Sequence, residues 1–473
     1  MYKNLKQTFN GLLRKNKVNP RYFTDDSGKA IFFAGSHTWA VMNDMWLENE
    51  PRHNMDYKGF LQMMEDCYHN FMRFWQFNMQ AKGAAWNKIQ TVFDPLPFER
   101  TGPGLAKDGL PRFNLDKFNS AYFERMRERI ELAANKGIYV SIMLFEAWAY
   151  KWPTKEINPW PYSVFNPENN VNDITDNPLV DDFRALNIFS LNCPQILEIQ
   201  KSYIRKVIDT VNDMDNVLYE ICNEMPFCKE ALEWQEYLCR YIREYEVALP
   251  KQHMIGITAE GGDQDNAELF ETSADWISPS NGRNFEYRYN PPEADGRKVI
   301  VNDTDHLWGH GCETAWLWKC FTRGQNVLFM DPWEPIPGDL DWWQDEDLTK
   351  NQRYYYAWDP MRRNLGYIRL FAQMMDLNSC IPHNELCTTT YCLAWTNQQY
   401  LCFLPEGGTQ SLDLCDADGE FSVQWFEPHT GRSFDGGKLK GGARTLLNPP
   451  VKGQVVVFVY KNRNEITRRY EIF

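Results

Sequence analysis

The sequence predicts an α/β fold: a (β/α)8 TIM barrel followed by a small all-β antiparallel sandwich. Three observations carry this expectation. Eight short apolar runs alternate with helical patterns between residue 21 and about 335, the rhythm of a parallel sheet wrapped by helices. The runs are apolar throughout rather than on every second residue, as in strands whose barrel is covered by helices. Near residue 377 the helical period ends, and short strands separated by Gly, Asn, Asp and Pro take over. The expected division is residues 1–376 for the barrel and 377–473 for the sandwich, because 473 residues exceed one ordinary core.

The elements follow in order. "AIFFAGSHTW" (30–39) is the first strand, and "YKGFLQMMEDCYHN" is a helix with Phe60, Leu61, Met64 and Tyr68 at helical spacing. "FMRFWQF" (71–77) is the second strand, and a helix burying Tyr122, Phe123, Met126, Ile130 and Ala133 comes after a long aromatic loop. "GIYVSIMLFEAW" (137–148) is the third strand. Pro194, a favoured first-turn residue, opens the next helix, with Ile196, Ile204, Val207, Ile208 and Val211 as its stripe. "NVLYEICNEM" (216–225) is the fourth strand, and "KEALEWQEYLCRYIREYEVAL" is the helix after it. "HMIGITAEGG", "ADWISPS", "RKVIVNDTDH" and "QNVLFMDPW" complete the eight, and "RRNLGYIRLFAQMMDL" (362–377) is the closing helix. The long loops at roughly 78–118 and 149–192 are aromatic and Pro-rich, and loops of that length usually serve function. They read as walls of a cleft, which favours exo action on a chain end or side chain.

Composition narrows the function. Fifty basic against 64 acidic residues give a net charge of -14, which disfavours nucleic acid and anionic membranes as partners. No apolar run reaches 18 residues, so no membrane helix is expected. The basic N-terminus lacks the apolar block of a signal peptide. The expected location is cytoplasmic, or periplasmic or secreted if a leader has been removed. Twelve cysteines without a CxxC pair read as reduced, mostly buried thiols. His306, His310 and Cys312 lie close together without completing a zinc set, so neither metal nor cofactor is expected. Aromatics at 15% suit sugar-stacking clefts, although large cores collect them too.

Barrel enzymes place their chemistry at the C-terminal ends of the strands. Read there, the sequence offers His37, Thr38 and Trp39; Arg73 and Trp75; Glu146 and Trp148; Asn223 and Glu224; Glu260; Asn302, Asp303, Asp305 and His306; Asp331 and Trp333. The set holds no Gly-rich phosphate loop, no serine elbow and no lysine for a Schiff base. Carboxylates across a Trp-lined cleft are what glycosidic hydrolysis requires, one as proton donor and one as nucleophile or base. Alternation along the fourth strand sends Glu220, Cys222 and Glu224 one way and Tyr219, Ile221 and Asn223 the other. Glu224 then lies at the strand mouth. Glu220 lies deeper, as a structural carboxylate paired with a cation such as Arg73 or hydrogen-bonded in the barrel floor. A bulge at the strand end would let Asn223 face the cleft as well.

The eight-unit pattern, with Asn223-Glu224 closing strand four and an acidic residue closing strand seven, resembles the retaining glycoside hydrolases of the clan containing family 5 cellulases. "RYFTDDSGKAIFFAGSHTW", "YEICNE" and the trailing sandwich resemble more closely a bacterial set of the DUF4038 type, which includes the apiosidases. The resemblance covers most of residues 20–473. It implies Glu224 as acid/base and Asn223 as the residue that hydrogen-bonds the sugar 2-hydroxyl. It also implies a strand-seven nucleophile, usually glutamate. This chain departs from the pattern there, offering Asp303 first and Asp305 second. The shorter side chain leaves open inversion, a furanoside substrate or lost activity.

Looser expectations complete the site. Arg73 would orient the nucleophile and keep it ionised. His37 and His306 are candidate hydroxyl ligands. Trp333, Trp308, Trp75 and Trp148 are candidate platforms, Trp39 is a further substrate-binding candidate, and Glu146 and Glu260 are reserve carboxylates. The expected partner is a carbohydrate, an oligosaccharide or polysaccharide. The competing readings are a non-catalytic carbohydrate-binding protein on a degenerate barrel, and metal-assisted hydrolysis through His306, His310 and the aspartates.

Overall fold

The computed structural model describes residues 8–461 apart from 40, 49, 78–80, 83–89, 152–157, 183, 226–227, 260–264, 310 and 334–357. The eight apolar runs form β1 (Ala34–His37), β2 (Phe71–Phe74), β3 (Tyr139–Glu146), β4 (Val217–Asn223), β5 (Ile255–Thr258), β6 (Trp276–Ser278), β7 (Val299–Asp303) and β8 (Asn326–Met330). They close into one barrel in chain order, with β8 returning to pair with β1. Every neighbouring pair is parallel.

The helices between them are α1 (Tyr57–Asp66), α2 (Ser120–Asn135), α3 (Pro194–Val211), α4 (Lys229–Glu246), α5 (Ala267–Glu271), α6 (Glu286–Tyr289), α7 (Thr314–Thr322) and α8 (Asp359–Met374). Each long helix buries the stripe that its spacing predicts. In α3 the buried side chains include Ile196, Ile204, Val207, Ile208 and Val211, with Pro194 in the first turn. α5 and α6 are only one turn or so long, so the barrel is thinly covered behind β5 and β6.

The barrel interior is layered with a period of two along each strand. The lowest layer is apolar, with Phe71, Tyr139, Leu218, Trp276, Val301 and Leu328 in one buried cluster. Phe33 stacks on Phe71 at 4.4 Å beneath it. Leu13 and Phe23 join this layer from an N-terminal three-stranded sheet (Arg14–Lys15, Phe23–Thr24, Ala30–Ile31), which closes the floor. Gly256 makes room for it, since a Cβ there would lie 1.9 Å from the Trp276 ring. Two residues higher on the same strands the lining turns polar: Arg73, Ser141, Glu220, Ser278 and Asp303. The change from apolar floor to polar middle is what raises charged groups towards the mouth.

The two long loops join into one wall. The hairpin Phe98–Leu105/Pro111–Phe118 lies in the loop after β2. Phe113 of this hairpin exchanges backbone hydrogen bonds with the loop after β3, donating to Asn169 O at 2.8 Å and accepting from Val171 N at 2.9 Å.

After α8, a six-stranded antiparallel sheet takes the order Ile381–Pro382, Cys392–Trp395, Gln399–Leu404, Val455–Tyr460, Glu420–Glu427, Arg432–Lys440. Strand alternation gives it two faces. Leu401, Phe403, Val456 and Phe458 pack on residues of α7 and α8 such as Trp318, Ile368 and Phe371. Cys402, Leu404, Val455, Val457 and Val459 pack instead against Leu412 and Leu447 of a two-stranded sheet. Among the described residues, no helix is long and apolar enough to cross a membrane.

Candidate active site

Arg73 is the hub of the polar layer. It is buried in β2, and three groups from other strands or loops converge on it. Its Nε donates to Glu220 Oε2 at 2.8 Å and its NH2 to Glu220 Oε1 at 2.5 Å. The same NH2 donates to Asn223 Oδ1 at 2.5 Å, and NH1 donates to Asp305 Oδ2 at 2.9 Å. A two-pronged carboxylate contact of this kind is the strong, planar geometry that favours arginine over lysine. Glu220 thus has the cationic partner expected of it. Since Glu220 and Asn223 both reach one guanidinium, side-chain alternation breaks between them. The left-handed backbone at Glu224, φ +39°, follows at once.

Asp303 and Asp305, two residues apart, live in different surroundings. Asp303 Oδ1 accepts from His37 Nε2 at 2.9 Å and from the Asp305 amide at 3.0 Å, and Oδ2 lies 3.5 Å from Arg73 NH1. Burial alone would raise its pKa, but His37, Arg73 and His306 outweigh burial and hold it well below the usual carboxylate range. Asp305 accepts only from Arg73, and its Oδ1 takes no hydrogen bond from described residues. Burial, then the nearby Glu224 carboxylate, drive its pKa up to about 7 against the pull of Arg73. Asp305 thus stands between a carboxylate that disfavours its charge and a guanidinium that favours it.

Glu224 is 8% exposed at the mouth of β4. Its neighbour Asn223 is fixed on both sides. Its Oδ1 accepts from Arg73, with His306 Nε2 at 3.4 Å, and its Nδ2 donates to Glu146 Oε1 at 3.3 Å. His306 is held from its other ring nitrogen by Ser278 Oγ at 3.0 Å. Glu146, at the end of β3, accepts from the backbone amides of Trp148 at 2.6 Å and Ala149 at 3.3 Å. Its burial pushes the pKa up to about 7, even though these amides and Asn223 favour the charged form.

The structure therefore brings His37, Arg73, Asn223, Glu224, Asp303, Asp305 and His306 together, with Glu146 as a full member of the network. Ser278 carries no sequence motif; its place at the end of β6 is the only signal that could have found it. Trp75 is 2% exposed and lies between the His37 and Trp39 rings, at 5.6 and 5.7 Å. It fills core and offers no face to a ligand. Trp39, Trp148, Trp308 and Trp333 are half-buried, with Trp39 and Trp148 edge to face at 5.6 Å. Asp331 stands apart, in a buried two-pronged pair with Arg362 of α8 at 2.7 and 2.6 Å. Glu260 and His310 lie outside the described residues.

One group could hold a metal: ligand atoms of Asp303, Asp305 and His306 lie within 4.8 Å of one another. Arg73 already contacts both aspartates there. A divalent ion would have to share that space with a guanidinium, so the donor set fits a metal poorly.

Comparison with known proteins separates family from fold. The family described as a domain of unknown function (DUF6298) matches residues 80–288, the stretch holding β3 to β6. No curated protein matches the chain. Among solved structures, one named simply a glycoside hydrolase shares 12% identity, covering 98% of this chain and 100% of that one, with a TM-score of 0.61. A glycoside hydrolase family 5 protein from Bacteroides vulgatus ATCC 8482 shares 13%, covering 98% and 96%, with a TM-score of 0.62. The fold is that of the family 5-like glycoside hydrolases. The likeness spans both the barrel and the trailing sheet, as the coverage of both chains requires.

Proposed function

We propose that this protein is a glycoside hydrolase that cleaves an O-glycosidic bond with retention, using Glu224 as acid/base and Asp305 as nucleophile. The observation that carries the reading is the convergence of Glu220, Asn223 and Asp305 on the buried Arg73, directly below Glu224 at the strand mouth. Asp303, ranked first on sequence, is already engaged by His37, Arg73 and the Asp305 amide. Among the described residues Asp305 accepts a single hydrogen bond, from Arg73, which stabilises its charged form, whereas Asp303 Oδ1 is taken by two donors.

In the first step protonated Glu224 gives its proton to the leaving glycosidic oxygen. An oxygen of Asp305 attacks the anomeric carbon, and the bond to the leaving group breaks. In the second step Glu224, now ionised, takes a proton from water as the water displaces Asp305. Asn223 has an N–H left over from Glu146 and is placed to donate to the sugar 2-hydroxyl. Trp39 and Trp148 supply apolar faces for the ring. The joined wall of the two long loops supports exo action on an oligosaccharide or a polysaccharide side chain.

The test is hydrolysis of a panel of aryl pyranosides and furanosides by wild type, Glu224→Gln, Asp305→Asn and Asp303→Asn. Loss with both Glu224→Gln and Asp305→Asn is expected, with anomeric configuration retained in the product. Full activity in Asp305→Asn would overturn the assignment. An inverted product would reassign Asp305 as base, with a carboxyl separation of about 6.5–9.5 Å in place of about 5 Å.

A further inference from the structure

One arginine at the rim of the barrel rests on aromatic rings and has no counter-ion among the described residues. Arg288 lies in α6, in the loop after β6. It makes no ion pair among the described residues, and its buried Nε has no hydrogen-bond partner. Its guanidinium carbon lies 5.2 Å from the centre of the Trp308 ring and 5.4 Å from that of Tyr289. Other arginines in this part of the chain are paired: Arg283 with Asp265 at 3.0 Å, Arg297 with Asp295 at 2.6 Å and Arg323 with Glu293 at 3.7 Å. In a chain with a net charge of -14, an arginine left unpaired on an aromatic bed stands out chemically.

The surroundings have the features of a ligand site. Trp308 N donates to Thr304 O at 2.8 Å and Gly309 N to Asp305 O at 3.2 Å, so Trp308 sits one helical turn on from Asp305. Asn281, 6% exposed, has a buried Oδ1 without a hydrogen-bond partner, and its carbonyl accepts from Tyr287 N at 3.1 Å, next to Arg288. A guanidinium over the Trp308 indole and, in the same loop, an amide oxygen without a hydrogen-bond partner among the described residues offer a fork for an oxyanion and an acceptor for a hydroxyl.

We infer that Arg288 anchors an oxyanion subsite beside the catalytic carboxylates, and that it takes the carboxylate of a uronic acid, so that the substrate is an acidic saccharide. That the ligand is a sugar rests on the glycosidase reading. The geometry favours a carboxylate because two terminal N–H groups of a planar fork match its two oxygens. A sulfate ester presents the same chemistry, and the test separates the two.

The experiment is equilibrium binding, by calorimetry or NMR, of D-galacturonate and D-glucuronate, each beside its methyl ester, and of galactose 6-sulfate. The proteins are full-length wild type, Arg288→Met, Arg288→Lys and Glu224→Gln, each first shown to unfold at the wild-type temperature. At least one uronate is expected to bind about tenfold tighter than its ester, the scale of one charge-assisted pair. Arg288→Met should reduce that ratio to about one while leaving ester binding unchanged, Arg288→Lys should keep part of it, and Glu224→Gln should keep it all. Equal binding of uronates and esters, no binding of any uronate, or a ratio unchanged in Arg288→Met overturns the proposal. An Arg288-dependent preference for galactose 6-sulfate alone overturns the uronate assignment. A uronate preference that persists while no glycoside is hydrolysed sinks the hydrolase reading and leaves the subsite standing.

Discussion

Two buried carboxylate clusters sit at opposite ends of this barrel, and their contrast separates a structural charge from a chemical one. At the lower end Glu246, 1% exposed, accepts four hydrogen bonds: His253 Nδ1 at 2.8 Å, His253 N at 2.7 Å, Asn212 Nδ2 at 3.1 Å and Tyr219 OH at 3.2 Å. Both of its oxygens are engaged. At the mouth Asp305 accepts one hydrogen bond and faces a second carboxylate. Both clusters are buried, yet among the described residues Glu246 is held by four donors and Asp305 by one.

The largest effect expected from this contrast is catalytic. Glu224→Gln and Asp305→Asn should each lower kcat/KM by at least about 10²–10⁴-fold, the scale of a lost acid/base group or worse, with little loss of stability. Steady-state kinetics beside thermal unfolding measures both quantities. The mirror image is Glu246→Ala, which leaves His253 and Tyr219 without their buried partner. It should destabilise the chain by about 3–5 kcal/mol in chemical denaturation, with kcat/KM unchanged where the protein is folded. If Glu246→Ala instead impaired catalysis at full stability, the division between the two clusters would fail.

Glu146 sharpens the comparison through pH. Its folded pKa of about 7 lies above its ordinary value of 4.5, so the folded state holds this proton more tightly than the unfolded chain does. The associated stability is complete below about pH 4.5 and is lost as pH rises to about 7; the whole effect is at most about 3 kcal/mol. Glu146→Gln removes the titration while keeping an oxygen for the Trp148 and Ala149 amides. The variant's unfolding temperature should therefore gain on wild type between pH 5 and pH 8. A constant difference across that range would show that Glu146 does not titrate there.

The smallest effect concerns metal. With Arg73 already on Asp303 and Asp305, exhaustive chelation should leave kcat/KM within about twofold of untreated enzyme. A larger loss, restored by a divalent ion, would return the Asp303–Asp305–His306 group to a catalytic role.

Much of the fold is legible locally. All eight strands fall inside the apolar runs, because strand and helix periods are properties of neighbouring residues. The sheet after α8 is legible for the same reason, as turn residues punctuate it. The one-turn lengths of α5 and α6 are less so, since loop and helix compositions overlap in 259–298. At the site, strand-end position alone singles out Arg73, Asn223, Glu224 and the two aspartates. It marks Glu146 too, but does not reveal that Glu146 is tied to Asn223, nor that Trp75 is walled in by His37 and Trp39.

The sequence by itself determined which side chains stand at the mouth, since parity and strand length place them one by one. Only the tertiary structure decided what each is worth. The partners of Arg73 lie 147, 150 and 232 residues away along the chain. A carboxylate's charge state depends on burial and on such partners, and no local pattern encodes either. Asp303 and Asp305 differ by two positions in sequence, but in space His37 and the Asp305 amide hold the first while Arg73 alone donates to the second among the described residues.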